Sequence, residues 1–206
     1  PRPSPSAAVC TTTKTVRQAG GGDCTTIQQC VDAVPSSAFT GDYCINVDSA
    51  TYSENVVIQD KSPVGFQLII QTDPVVVSTV ATINALSGNP AFSVFNTSVT
   101  LLNMLVVVTD VTGYGILASS ANVTISSVNV KIASPGGSIL TAGISITSYN
   151  AVSYSTIAGG LRIVGQGSAV SWSTMTSNSF GNSALYLSAA SSNTITRSFI
   201  DNPAGY

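Results

Sequence analysis

The sequence contains no histidine, and only 7 Lys and Arg and 9 Asp and Glu are found among its 206 residues. The first absence excludes catalysis or zinc binding through imidazole. The scarcity of basic residues excludes the positive surface typical of nucleic-acid binders. No apolar run approaches the length of a transmembrane helix. The chain begins at Pro1, which is typical of a mature protein whose signal peptide has been removed, so we expect a secreted, extracellular protein.

Hydroxyl side chains take the place of the missing charge. The chain has 31 Ser and 23 Thr, while residues 74–206 contain only five charged residues: Asp110, Lys131, Arg162, Arg197 and Asp201. The hydrophobic fraction of 44% excludes a disordered chain. Hydroxyl groups form hydrogen bonds without the desolvation cost of full charges. This composition favours a surface that stacks or is glycosylated over one that polarises a substrate.

All four cysteines, Cys10, Cys24, Cys30 and Cys44, lie in the first 44 residues. Their spacing lacks a C-x-x-C pair, which argues against a zinc site, and an even number in a secreted chain is typical of two disulfides. Residues 25–34 read as one helix, on which a spacing of six makes a Cys24–Cys30 bridge awkward. We predict Cys10–Cys24 and Cys30–Cys44; four buried free thiols are the alternative.

Two short strand-like blocks alternate through the second half of the chain. The first block occurs at Ala91–Val94, Gly115–Ala118, Gly143–Ile146, Gly160–Ile163 and Ala184–Leu187. The second occurs at Thr100–Val106, Thr124–Val130, Ala151–Ile157, Ala169–Met175 and Thr194–Ile200. The offset between the two blocks is nearly constant, whereas the loops between repeats vary in length. Fixed strands with variable loops are typical of a parallel β-solenoid, whose coils bury their apolar faces against each other.

We therefore predict an all-β fold: a single-stranded right-handed parallel β-helix, or solenoid, with a short N-terminal cap helix. The predicted helical domain covers residues 16–206, the cap helix about residues 25–34, and an N-terminal arm residues 1–15. A β-sandwich of short strands is the alternative. Its strands would also alternate between apolar and polar residues, but a sandwich does not require the same pair of blocks to recur five times.

Two segments carry a family resemblance. Gly22–Pro35 (GDCTTIQQCVDAVP) resembles the segment that enters the right-handed β-helix of pectin methylesterases and related pectate-lyase-like proteins. Ala50–Ile58 (ATYSENVVI) resembles the family's Gly-x-Tyr-x-Glu-x-Val-x-Ile strand pair, with Ala50 in place of the glycine. The resemblance covers about residues 15–58. It implies the β-helix fold and a cap helix that covers the first coil with Ile27, Cys30, Val31 and Val34.

The resemblance does not extend to the family's chemistry. The Phe-Ile-Phe-Gly and Arg-Pro-Trp motifs of pectin methylesterases are absent. Beyond residue 73 the only carboxylates are Asp110 and Asp201, whereas glycoside hydrolysis needs two within about 10 Å. The acidic residues between Asp42 and Asp73 are interpreted as solvated turn charges, with a Ca²⁺ site as the alternative. We expect no enzyme, no catalytic residue, no metal and no cofactor.

The predicted function is structural. The last strand-like block contains Ile195, Phe199 and Ile200 and is followed by six residues, too few for a covering helix. An uncovered coil invites strand addition from another copy, and a repeated head-to-tail contact gives a filament or surface coat. The predicted partner is therefore the protein itself.

Three further expectations concern carbohydrate. Tyr154 and Trp172 occupy equivalent positions in successive repeats, where they would either stack on a sugar or ladder on each other. A carbohydrate-binding or adhesive module, or a divergent carbohydrate-active enzyme, is thus the alternative function, with a polysaccharide partner. Asn96 and Asn122 begin the two Asn-x-Ser/Thr sequons and are candidate glycosylation sites.

Overall fold

The computed structural model describes residues 10–36, 40–61, 66–75, 79–109, 114–119, 121–133, 142–177, 183–189 and 191–202. These residues are mainly strands. The elements are β1 Thr12–Val16, α1 Ile27–Asp32, β2 Tyr43–Val47, β3 Thr51–Ser53, β4 Val56–Gln59, β5 Leu68–Thr72, β6 Ala81–Asn84, β7 Phe92–Phe95, β8 Ser98–Val108, β9 Ile116–Ser119, β10 Asn122–Ile132, β11 Ile144–Ile146, β12 Ala151–Ser153, β13 Thr156–Ala158, β14 Leu161–Val164, β15 Ala169–Ser171, β16 Thr174–Thr176, β17 Leu185–Ser188, β18 Thr194–Thr196 and β19 Phe199–Asp201.

The strands form two sheets in which all pairings between the named strands are parallel. A 13-stranded sheet contains two columns of stacked strands. The first column is β1-β2-β5-β8-β10-β12-β15-β18, and the second is β3-β6-β8-β10-β13-β16-β19, with the long strands β8 and β10 passing through both. The third column is the six-stranded sheet β4-β7-β9-β11-β14-β17. From β2 onward the chain repeatedly visits the first, second and third columns in that order, and we call one passage through the three columns a coil.

The all-β class and the parallel pairing predicted from the repeats are confirmed. The first predicted block forms the third column from β7 to β17, and the second block begins in the first column. In that column Leu101 lies opposite Ile125, and Val152 opposite Val170. Each of these four side chains is at most 1% exposed. Residues at inward positions thus stack on each other from coil to coil, and one buried apolar cluster runs from Val16 to Met175.

The cap helix α1 is shorter than predicted. It spans Ile27–Asp32, because Thr26 is extended (φ −128°) and caps the helix by accepting a hydrogen bond from Gln29 N, and Ala33 is the C-cap. Its apolar face packs against β1, β2 and β4, as the sequence predicts. Strand β1 begins at Thr12, inside the segment predicted to be an arm, because Thr12–Val16 pairs with β2. Residues 1–9 lie outside the described residues.

The predicted pairing of the cysteines is wrong. All four form disulfides, but the pairs are Cys10–Cys44 and Cys24–Cys30, with Cα–Cα distances of 5.7 and 5.6 Å. Cys24 does not lie on the helix: it forms an isolated bridge with Val16, and the chain turns before α1 begins. The helical spacing that argued against a Cys24–Cys30 bond therefore does not apply. Cys10 lies two residues before the start of β1 and reaches Cys44 on the neighbouring β2.

Candidate functional site

The last coil, formed by β17, β18 and β19, is covered on one side only among the described residues. Each of its strands pairs with the preceding coil and with no following strand. Leu187 and Ile200 lie opposite Ile163 and Met175, two fully buried side chains. Both Leu187 and Ile200 are nevertheless 46% exposed. Apolar residues at inward positions are thus left open on this surface, which we call the β17–β19 face.

The three residues predicted to mark this end occupy two kinds of position. Ile195 and Ile200 continue the inward rows of Val170 and Met175, and Ile195 packs in part against the core. Phe199 lies opposite Thr174 at an outward position and is 60% exposed. The last coil therefore presents an apolar surface both at its end and on one side. The only charges between residues 183 and 202 are Arg197 and Asp201, which balance each other.

At the opposite end of the stack, several backbone groups at and beside β4 and β1 have hydrogen-bond partners within the chain itself. The Gln28 side chain accepts a hydrogen bond from Val57 N (2.7 Å) and donates one to Val57 O (3.2 Å), in place of a strand next to β4. Beside β1, Arg17 N donates to Cys24 O (2.9 Å) and Cys24 N donates to Thr15 O (3.1 Å). The two ends of the stack are therefore chemically different.

The residues that carry the family resemblance hold the cap helix α1 on the first coil. The Glu54 carboxylate accepts hydrogen bonds from Ile27 N and Gln28 N, both at 2.9 Å. The Tyr52 hydroxyl donates to Asp48, and burial together with this carboxylate raises the pKa of Tyr52. The Thr-Ile-Gln and Tyr-x-Glu pattern thus has a structural explanation in this chain, since its polar groups close the first coil.

A column of residues with positive φ forms the corner between the first and second strand columns. It consists of Asn103, Ser127, Tyr154, Trp172 and Arg197, whose φ values are 53°, 55°, 51°, 52° and 49°. The Tyr154 and Trp172 rings are stacked, with centroids 6.2 Å apart and an interplanar angle of 12°. The Arg197 guanidinium lies over the Trp172 ring, 4.7 Å from its centroid. This left-handed conformation costs most residues about 1–2 kcal/mol, and stacking between successive coils offsets that cost.

The stacking of Tyr154, Trp172 and Arg197 limits how a sugar could reach the predicted sugar site at Tyr154 and Trp172. Trp172 lies between Tyr154 and Arg197 in the column, so both faces of its ring meet protein groups. The arrangement is the ladder that the sequence offered as the alternative. A sugar would meet only the edges of the 40% exposed Trp172 ring, and sugar stacking stays a prediction.

A ladder of serines, which sequence reasoning missed, lies just inside this corner. Ser155, Ser173 and Ser198 each follow a residue of the column and donate to the carbonyl two residues earlier, at 2.8–3.0 Å. Each hydroxyl also accepts a hydrogen bond from a backbone N–H of the preceding coil, at 3.2–3.3 Å. The signal in the sequence is the recurring Ser/Thr-x-Ser at the second block. The serine ladder explains how the backbone groups at this corner find hydrogen-bond partners in a part of the chain that has almost no charged side chains.

The acidic residues do not form a cluster. Asp110 lies outside the described residues, and Asp201 ends β19. Asp42 accepts from Gln67 N (3.0 Å), and Asp60 accepts from the Asn96 side chain (3.3 Å). Within the described ranges, no group of three or more His, Cys, Asp or Glu side chains is placed to hold a metal ion. No helix there is long and apolar enough to span a membrane.

Both sequons lie where the chain passes from the third strand column to the first. Asn96 and Asn122 are exposed, as the prediction of glycosylation requires. Asn122 lines an open cleft of about 290 Å³ together with residues of the 147–149 turn. No protein-family model matches this chain, and a search of curated proteins finds no significant sequence match.

Proposed function

We propose that the protein is a right-handed parallel β-helix of the pectin-lyase-like kind. Three strand columns visited in a fixed order, with parallel pairing throughout, support a continuous coil. Crossovers between parallel strands are right-handed in nearly all proteins, which favours that hand. The cap supports the family resemblance, because Glu54 and Val57 of the first coil form hydrogen bonds with the first backbone amides of α1 and with the Gln28 side chain.

The function we assign is that of a non-catalytic structural protein of the cell exterior, which assembles through the β17–β19 face. Two disulfides fit an oxidising, extracellular environment. The observation that carries the assignment is the 46% exposure of Leu187 and Ile200 at positions that are fully buried one coil earlier. Native proteins blunt an open strand edge with charge, proline or a cover. The balanced pair of Arg197 and Asp201 does not repel a neighbour.

The partner on this face is a second copy of the chain. At the α1 end, Gln28 and Cys24 already occupy backbone groups of β4 and β1, so that end offers fewer free hydrogen-bonding groups. Contact between two β17–β19 faces is therefore the favoured mode, and it closes as a two-fold pair. The head-to-tail filament predicted from the sequence requires contact with the α1 end. Sedimentation equilibrium separates the two modes, because a two-fold pair stops at the dimer and a head-to-tail contact does not.

Sedimentation equilibrium over a wide concentration range tests this proposal. We expect the wild-type chain to form dimers, and Ile200→Lys to be monomeric because it places a charge in the contact. Val57→Lys is the matched control, since Val57 is 44% exposed at the opposite end. Assemblies that grow without limit would favour the head-to-tail filament. A wild-type chain that stays monomeric at every concentration, or an Ile200→Lys variant that associates like wild type, would contradict the proposal.

A further inference from the structure

The cleft beside Asn122 combines a modifiable amide with an exposed aromatic ring. It measures about 290 Å³ and is lined by Ala121, Asn122, Thr147, Ser148 and Tyr149. The Tyr149 side chain is 62% exposed. The Asn122 side-chain amide has no hydrogen-bond partner among the described residues. The volume lies at the lower end of small-ligand sites, which leaves room for roughly one sugar residue.

Tyr149 is held firmly although it is exposed. Its N–H donates to Gln166 O (2.9 Å), and Gln166 Nε2 donates to the Tyr149 hydroxyl (3.0 Å). The ring lies over Gly167, where an added Cβ would come within 2.7 Å of two ring carbons. A fixed aromatic ring loses little conformational entropy when a ligand packs on it.

Asn150 couples this ring to the sequon. Its Nδ2 donates to Thr147 O and Ser148 O, both at 3.0 Å, and so closes the turn that presents Tyr149. Its Oδ1 accepts from Val123 N (2.7 Å), and Val123 is the central residue of the Asn122-Val123-Thr124 sequon. Asn150 itself is 2% exposed. The aromatic ring and the modifiable asparagine are therefore parts of one rigid unit, although 27 residues separate them in sequence.

We propose that Asn122 is N-glycosylated and that the first N-acetylhexosamine of the glycan lies in this cleft, with its apolar face on Tyr149. In the reaction, Asn122 Nδ2 forms a bond to the anomeric carbon of the sugar, and the bond from that carbon to the diphosphate of a lipid-linked oligosaccharide breaks. The amide loses one proton, and the lipid diphosphate leaves. A host transferase of the secretory compartment supplies the catalyst and the donor, and the two disulfides fit passage through that compartment. This inference does not depend on assembly through the β17–β19 face.

The second sequon provides an internal comparison. Asn96 Nδ2 already donates to Asp60 Oδ1 (3.3 Å), at a corner with a φ of 46°. Its sequon ends in Ser98, whereas that of Asn122 ends in Thr124. A glycan on Asn96 would therefore replace an existing hydrogen bond, whereas a glycan on Asn122 would pack in the cleft against the Tyr149 ring. We expect only the Asn122 glycan to stabilise the fold.

The test uses the chain secreted from a eukaryotic host, with glycopeptide mass spectrometry to locate the sugar. Thermal unfolding is then compared for the intact glycoprotein, the same protein trimmed by an endoglycosidase to its first sugar, and Asn122→Gln. The trimmed and intact forms should share one Tm, and Asn122→Gln should unfold about 2–4 °C lower, the shift expected from one aromatic contact in a domain of this size. Ser98→Ala is the control: it removes the second sequon but leaves Asn96 with its positive φ and its hydrogen bond to Asp60, so it should leave the Tm unchanged.

Two variants at Tyr149 identify the contact. In Tyr149→Asn, which suits the φ of 60° at this position, the Tm difference between glycosylated and Asn122→Gln forms should vanish. In Tyr149→Phe it should persist, because the ring remains. An unmodified Asn122, or a glycan that raises the Tm equally with Tyr149→Asn, would overturn the proposal.

Discussion

Removing the carboxylate of Glu54 should detach the cap helix from the first coil. Glu54 accepts two backbone hydrogen bonds at 2.9 Å, from Ile27 N and Gln28 N, the first amides of α1. Hydrogen bonds to charged groups contribute about 1.5–3 kcal/mol each. The Glu54 side chain is only half-buried, so water replaces part of this contribution. We expect Glu54→Ala to lower the free energy of unfolding by about 2–4 kcal/mol.

Urea unfolding, monitored by circular dichroism, measures this change as a lower midpoint at constant slope. Glu54→Gln keeps one acceptor oxygen but loses the charge, and it should lower the free energy of unfolding by about 1–2 kcal/mol. Asp201→Asn removes the same charge at the other end of the stack and should change stability by less than about 0.5 kcal/mol. If Glu54→Ala were as stable as Asp201→Asn, the docking role of the Tyr-x-Glu pattern would be refuted.

Three further predictions concern Asp23, Asn150 and the Cys24–Cys30 disulfide. Thr15 N and Lys14 hold the pKa of Asp23 at about 2, so its stabilising contribution should be present above pH 4 and disappear as the pH falls towards 2; the acid unfolding curve of Asp23→Asn should lack this component. Asn150→Ala removes three hydrogen bonds of a buried side chain and should lower the free energy of unfolding by about 2–4 kcal/mol, against about 1–2 kcal/mol for Asn193→Ala in the half-covered last coil, both measured by urea unfolding. Peptide mapping without reduction should find Cys24 bonded to Cys30; a peptide that links Cys24 to any other cysteine would be inconsistent with the fold at the cap.

The repeat in the sequence predicts the stacking of strands but not the corners between them. The two blocks place Leu101 and Ile125 in one row, and the structure pairs them. The second strand column was hidden within the second block, because β8 and β10 run for 11 residues through the corner and bend only at Asn103 and Ser127. The inward apolar pattern shifts by one residue at the bend, from Leu101 to Met104 and from Ile125 to Val128, and this single-residue shift is the only mark that the corner leaves in the two blocks.

The parts that the sequence does not reveal depend on local geometry or distant contacts. The disulfide pairing depends on where α1 begins, and a single extended residue, Thr26, moves Cys24 off the helix. The cleft beside Asn122 is formed with Tyr149, and only the coil spacing brings them together. The sequons and the apolar last block could be found by inspection. Their surroundings could not, because these depend on which loops meet in successive coils.

Hydrogen–deuterium exchange as a function of protein concentration tests the central claim, self-association through the β17–β19 face, most directly. The amides of β18 and β19 that face away from the preceding coil should exchange quickly in dilute solution, since each strand pairs on one side only among the described residues, whereas Thr194 N and Phe199 N already donate to that coil. At high concentration their exchange should slow, while that of β9 and β11, which are paired on both sides, stays unchanged. Equal exchange of β18 and β19 at both concentrations would contradict the account.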